Sequence, residues 1–290
     1  MMKIVNVIGG LGNQMFCYAF AKALLCRHQG EVLVDVSHFN QYNLHDGFQI
    51  DEIFNVPDIS IAESGHIKKV SRYFPHYGRS RIMRKILPVK KTEFIEKRDY
   101  TYDNEALNII GDTYYEGYWQ SPFYFAGIET EVKKMFTFPE AEGKNKELEL
   151  KMRNVTSVSI HVRRGDYLNA RSFVGICELE YYVQAINLIK EKVEDPVFFI
   201  FSNDVDWCYE NISPLLGASD REVVNHNSGA NSYWDMYLMS CCKNMIIANS
   251  SFSWWAAFLN NTKDPLVIAP SRWVNRDYTT NIHLDSWLII

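Results

Sequence analysis

Lys3-Ile4-Val5-Asn6-Val7-Ile8-Gly9-Gly10-Leu11-Gly12-Asn13-Gln14-Met15-Phe16 opens the chain and decides the class of its fold. β-Branched residues dominate 3–8, the glycines break the run, and apolar residues then recur at helical spacing over 13–27. A second β-rich run at 31–36 completes a βαβ unit, whose crossover helix makes the two strands parallel. The glycine turn imitates a dinucleotide-binding fingerprint, with Asp35 near the place of a ribose-binding acid, so an NAD-linked oxidoreductase is one alternative. The imitation fails at Met15, where close helix–sheet packing needs a small residue. Asn13 and Gln14 instead put two amides at the turn, which suit hydroxyl and phosphate partners.

Outward from this unit the middle of the chain is less regular. Residues 113–119 read as a strand, 121–135 as a helix, and 143–152 as a charged linker helix that sets the domain boundary at 150/151. Beyond it the alternation returns: strands at 155–161, 197–202, 222–225, 244–248 and 266–269, with helices at 178–192, 204–211, 232–241 and 252–259. Such alternation predicts a second doubly wound α/β domain over 151–290. A length of 290 residues suits two domains, since single cores stop growing near 250–300 residues. With 47% hydrophobic and 22% charged residues the chain can pack a core. A net charge of −5 excludes a general nucleic-acid binder, which needs a basic field. No signal-peptide pattern and no window of about 20 apolar residues is visible, so a cytoplasmic location is expected. Six cysteines without a C-x-x-C spacing read as reduced core residues.

The densest polar motif follows the strand at 155–161: His161-Val162-Arg163-Arg164-Gly165-Asp166. An arginine fork bonds two phosphate oxygens at once and keeps its charge at any pH, which suits a leaving diphosphate whose charge grows as its bond breaks. Arg163 is the candidate for that role, Asp166 for orienting a guanidinium, and Gly165 for a close approach of backbone to ligand. A surface ion-pair cluster would have the same spacing. Asn249-Ser250-Ser251-Phe252, at a strand-to-helix turn, offers hydroxyls and amides for a phosphate nest or simply a capped helix. Asp204-Val205-Asp206 looks like a metal-binding D-x-D, yet Asp204 is explained more simply as a helix N-cap, and no metal is expected.

These segments together resemble glycosyltransferase family 11, the α-1,2-fucosyltransferases. The motif His161-Val162-Arg163-Arg164-Gly165-Asp166-Tyr167 carries the likeness, supported in order by 9–16, by Phe201-Ser202-Asn203-Asp204 with Trp207, and by Asn249-Ser250-Ser251-Phe252-Ser253-Trp254-Trp255. Weaker matches are Gly117-Tyr118-Trp119-Gln120-Ser121 and Tyr181-Tyr182, so the likeness spans most of the chain except 59–112. The resemblance implies a GT-B-type fold of two facing Rossmann-like lobes, the acceptor on 1–150 and the donor mainly on 151–290. It implies inverting transfer of fucose from GDP-β-L-fucose, a substrate rather than a cofactor, to the 2-hydroxyl of a terminal β-galactoside in a glycan. By position, Arg163 would hold the donor phosphate, His161 would lie at the guanosine side, and Asp235 would read guanine, whose paired N–H donors suit an acceptor-only carboxylate. Arg164, Asn203, Asn249, Ser250, Ser251 and Phe252 would complete the donor site, with Gly10, Gly12 and Asn13 facing it from the other lobe.

An inverting transfer also needs a proton acceptor for the attacking hydroxyl. Asp166 is the candidate, with His45, Asp46 and Asp35 as further choices, because no glutamate follows the arginine motif before Glu178. The stretch 68–91 holds nine Lys or Arg and no acid, interleaved with Tyr73, Phe74 and Tyr77, which makes it a candidate peripheral membrane contact or a solvated loop. A non-catalytic nucleotide-sugar or glycan-binding protein is the remaining alternative.

Overall fold

The computed structural model describes residues 1–40, 46–74, 82–83 and 86–290. The chain divides into two compact units, one of Met1–Pro139 with Thr279–Ile282, the other of Glu140–Tyr278 with His283–Ile290.

Unit 1 is built on five parallel strands, β1 (Met2–Asn6), β2 (Glu31–Asp35), β3 (Ser60–Ile61), β4 (Glu93–Ile95) and β5 (Thr113–Glu116), in the order β3-β2-β1-β5-β4. The expected βαβ opening is present: α1 (Leu11–Arg27) joins β1 to β2, with Ile4 opposite Leu33. This helix is buried along most of its length because aromatic rings cover it; Phe20 stacks on Trp119 at 4.2 Å and meets Tyr115 and Tyr124 edge-on. The expected helix at 121–135 is broken. Pro122–Phe125 forms a 3₁₀ turn, Gly127 adopts φ +87°, and a separate helix runs over Glu129–Met135, since a left-handed residue ends helical hydrogen bonding. The return segment is stitched to this unit through Asn281: its N–H donates to Tyr100 O (2.6 Å), its Oδ1 accepts from Tyr102 N (3.2 Å), and its carbonyl accepts from Ser121 Oγ (2.9 Å).

Unit 2 carries six strands, β6 (Ser157–Val162), β7 (Val197–Ser202), β8 (Arg221–Val224), β9 (Asn244–Ile246), β10 (Val267–Ala269) and β11 (Leu288–Ile289), all parallel and ordered β11-β10-β9-β6-β7-β8. The first strand of the unit is therefore central, the next two lie on one side and the last three on the other. The chain reverses its direction of travel between β6 and β9, and such switch points form crevices at the carboxyl ends of strands. Helices α2 (Gly143–Asn154), α3 (Leu179–Lys192), α4 (Tyr233–Cys241) and α5 (Ser251–Leu259) cover the sheet, with Val158, Ile160, Tyr182, Ile186 and Phe198 in the core. The division falls between 139 and 140 instead of 150/151 because α2 packs into unit 2: Leu148 and Met152 are buried, and Arg153 Nη2 donates to Cys241 Sγ (3.3 Å).

All six cysteines are free, and four are buried as expected, whereas Cys177 is half-buried and Cys26 is exposed at the end of α1. Among the described residues no helix is long and apolar enough to cross a membrane.

Candidate functional site

In unit 2 the parallel strands β6 to β10 deliver five loops to one edge, and the loops after β6 and β9 flank the switch point. His161, next to last on β6, is 5% exposed, its Nδ1 buried without a partner and its ring 5.9 Å from that of Phe252. Burial, then the Arg163 charge, depresses its pKa to about 3, so the imidazole is neutral and a weak base. Arg163 leaves the strand end with Nη2 2.8 Å from Asp166 Oδ1 and its guanidinium 5.5 Å from the Tyr167 ring. Its Nε is buried and unpartnered. A fixed cation with an unused donor has the chemistry to take an anion.

Arg164 is placed differently. Its guanidinium lies 4.0 Å over the Trp207 ring, Nε bonds Asp204 Oδ2 (3.1 Å), and its backbone N–H donates to Asn203 Oδ1 (3.0 Å). Arg164 and Asn203, expected on the donor, thus fasten the β6 loop to the β7 loop. Gly165 (φ +32°) serves that joint as well: a Cβ there would overlap the Asn203 amide, so the close approach is to a side chain of the protein rather than to a ligand. Asp204 caps the following helical turn by accepting from Trp207 N (3.3 Å), and with Arg164 on its other oxygen it is spent. Among the described residues no cluster of three metal-ligating side chains occurs.

Across the switch point Asn249 turns inward. Its Nδ2 donates to Trp273 O (3.1 Å) and its Oδ1 accepts from Cys177 Sγ (3.4 Å), so the side chain expected at the donor is a structural fastener. Its carbonyl accepts from the Tyr167 hydroxyl (3.3 Å), which ties the β9 loop to the arginine loop. Ser250 is the N-cap of α5, its Oγ accepting from Phe252 N (3.3 Å), while Ser251 and Phe252 form the partly exposed first turn. Tyr167 was adjacent to the motif in sequence, but its role as a bridge between Arg163 and Asn249 depends on β6 and β9 being neighbours. Asp235 stands in the first turn of α4; Oδ1 accepts from Asn227 Nδ2 (2.8 Å), and burial lifts its carboxyl to about 7.

Gly10, Gly12 and Asn13 belong to unit 1, at the carboxyl end of β1. Gly10 precedes α1 and its carbonyl accepts from Asn13 N and Gln14 N; Gly12 is buried in the first turn. Gly9 holds φ +79° against the Asn13 side chain, whose Oδ1 accepts from Gln120 Nε2 (2.8 Å). Gln14 is fully buried and spends its amide on Gly9 O, Gly47 O and Gln49 N, so it fixes the loop and does not reach a ligand. Asp35 likewise accepts from Ser37 N (2.9 Å) and Tyr114 Oη (2.7 Å), which removes it as a proton acceptor. Asp46 sits at φ +59°, and His45 lies outside the described residues.

Sequence reading missed Glu96, just beyond the three-residue β4. Its Oε2 accepts from Tyr118 N (2.7 Å) and Trp119 N (3.3 Å), Oε1 is buried without a partner, and burial raises the carboxyl to about 8. Gly117 makes room for it, since a Cβ there would overlap the carboxylate. Of the basic stretch 68–91, Arg72 donates to Pro88 O (2.6 Å) and Lys90 to Ser71 O (2.8 Å). Tyr77, Arg79, Arg81, Arg84 and Lys85 lie outside the described residues.

The profile of glycosyl transferase family 11 matches residues 77–290. An alpha-1,2-colitosyltransferase of Escherichia coli is 34% identical over 280 residues, covering 94% of this chain and 93% of its own length. The O-antigen biosynthesis glycosyltransferase WbnK of Escherichia coli is 31% identical with 97% of each chain covered. Galactoside alpha-(1,2)-fucosyltransferase 1 of Lagothrix lagotricha is 30% identical over 63% of this chain and 55% of its own. The crystal structure of fucosyltransferase NodZ from Bradyrhizobium superposes with a TM-score of 0.55 at 14% identity, over 89% of this chain and 91% of that one, a likeness of fold alone. Two parallel-sheet α/β units of this kind make a GT-B-type fold.

Proposed function

The chain belongs to glycosyltransferase family 11, and on that premise we propose that it moves L-fucose from GDP-β-L-fucose to the 2-hydroxyl of a terminal β-galactoside. The observation that carries the reading is Arg163: a guanidinium fixed by Asp166 and Tyr167 at a topological switch point, with a buried donor left unused. As the bond from the fucose anomeric carbon to the β-phosphate oxygen breaks, its electron pair goes to the phosphate, and the Arg163 fork stabilises the growing charge. The galactoside oxygen bonds the anomeric carbon from the opposite face and gives up its proton. Neutral His161 acts through hydrogen bonding rather than proton transfer, Ser250, Ser251 and Phe252 border the phosphate, and Asp235 takes the guanine edge. Asp166, the proton acceptor expected from the sequence, is paired with Arg163. Glu96, with an unpartnered oxygen and a carboxyl poised near working pH, is better matched to that task.

The same reading has the chain act without a metal, in the cytoplasm, with 68–91 as a peripheral membrane contact that co-flotation with anionic vesicles would test. Identity to a colitosyltransferase along nearly the whole chain favours one second reading, a GDP-linked colitose as donor. Offering both GDP-sugars with a β-galactoside panel, and reading product linkage by NMR, decides between them. GDP binding without transfer from either sugar would leave the chain a non-catalytic binder.

A further inference from the structure

Beside the β8 edge, three side chains from distant parts of unit 2 form a closed amide network. Asn227 Nδ2 donates both to Asp235 Oδ1 (2.8 Å) and to Asn145 Oδ1 (3.0 Å), while Asn145 Nδ2 donates back to Asn227 Oδ1 (3.1 Å). His226 Nε2 lies 2.8 Å from the same Asn145 Oδ1, so its Nε2–H donates there and the ring keeps its bare Nδ1 buried. Asn145 stands in the first turn of α2, 82 residues from Asn227, and Asp235 in the first turn of α4. Reciprocal bonding between two amides fixes both planes, because flipping either one would set donor against donor. The Asp235 carboxylate is held through Oδ1, and among the described residues no hydrogen bond reaches its second oxygen.

We propose that Asn227, locked by Asn145, is a positioning residue that fixes the Asp235 carboxylate in the plane needed to accept two parallel N–H donors, and so sets the preference for guanine over hypoxanthine in the donor nucleotide. This rests on the reading that Asp235 takes the guanine edge. A carboxylate free to rotate would accept one donor well and two poorly, so the second donor, the 2-amino group, is where a lost lock is felt. The lock also works on the charge. Burial disfavours ionised Asp235 and the Asn227 bond favours it, so removing Asn227 raises the carboxyl further and moves the acid loss of donor affinity to higher pH. The ionisable groups on the elements around it include His226 and Glu222 from β8 and its loop, Tyr233, Tyr237 and Cys241 of α4, and Lys144 and Glu149 of α2, the latter paired with Lys146 and Arg153; α5 brings none. Burial, then the Lys144 charge, lowers the His226 pKa, which favours its neutral form.

Calorimetry of the full chain with GDP and inosine diphosphate, which lacks the 2-amino group, tests this. The unaltered chain should prefer GDP by about tenfold or more, the scale of one discriminating hydrogen bond. Asn227→Ala should bring the preference near unity, move the pH midpoint for GDP upward, and raise KM for GDP-fucose more than it lowers kcat. Asn145→Ala should do the same more weakly. Equal loss of both nucleotides, or an unchanged preference in both variants, overturns the proposal. Asp235→Asn separates the two readings: an unchanged preference in that variant removes the guanine reading itself, whereas a preference lost in Asp235→Asn and kept in Asn227→Ala removes only the lock.

Discussion

At the carboxyl edge of the unit-2 sheet two guanidinium groups stand where β6 meets its neighbours, whereas the same edge of the unit-1 sheet holds amides and a carboxylate, Asn13, Gln120 and Glu96. The two sheets share a winding: each begins with a central strand, runs to one side, and then crosses to the other. Topology therefore provides a switch point in each, and the side chains there decide what it can bind. A nucleoside diphosphate needs cations; sugar hydroxyls are met by amides, which donate and accept, and by carboxylates, which accept. Each edge also keeps a half-buried, half-used acid, Asp235 in unit 2 and Glu96 in unit 1, with carboxyls lifted to about 7 and about 8.

The strongest challenge to this contrast is removal of the unit-2 cation. Arg163→Ala should lower kcat by about 10²–10³, the usual cost of losing a donor to developing charge, and Arg163→Lys by at least about tenfold, since a point charge lacks the fork. Arg164→Lys should cost far less turnover and act on thermal stability through the Trp207 and Asp204 contacts. Equal losses of activity in the two lysine variants would erase the division of labour between them.

On unit 1, Glu96→Gln should cut transfer by about a hundredfold while calorimetric GDP affinity stays, and the acid limb of kcat/KM for the galactoside should disappear. The glutamate also leaves a mark on stability. Its folded pKa lies above the unfolded value, so the folded state binds the extra proton and stability falls as pH rises from about 4.5 towards about 8. Melting curves of Glu96→Gln should lose that slope; full transfer by this variant would return the proton to another group.

A smaller effect belongs to Asp235. On the proposed reading its ionised form accepts the guanine donors, so donor affinity should hold above pH 7 and fall by about tenfold per unit well below it, a dependence that Asp235→Asn should flatten. No change at all is expected from excess EDTA if, as proposed, Arg163 supplies the charge that a metal would otherwise bring. Activity lost in EDTA and restored by manganese would overturn that assignment.

Much of this was legible along the chain. The opening βαβ and the strands from β6 to β10 announce themselves as apolar runs ended by glycine or polar residues, and the expected 197–202 strand is β7 itself. β3, β4 and β11 are two or three residues long, too short for any periodicity to show, and Glu96 was missed because it follows one of them. The arginine motif was found as a unit, yet its members could not be told apart: Arg163 and Arg164 are neighbours of identical chemistry, and only the arrival of Trp207 and Asp204 beside one of them separates an anion site from a fastener.

Sequence by itself determined the class of the fold, its two α/β halves, the family, and the type of charge offered after β6, because periodicity and local composition are properties of neighbouring residues. Tertiary structure decided which polar groups are spent and which are free. Asn249 turned inward to Trp273, Gln14 closed its own loop, Asp35 met Tyr114, and Asn145 met Asn227 across 82 residues. A hydrogen bond is satisfied by whichever partner the packed chain brings within about 3 Å, and distance in space between residues far apart in the chain is set only when the sheets assemble.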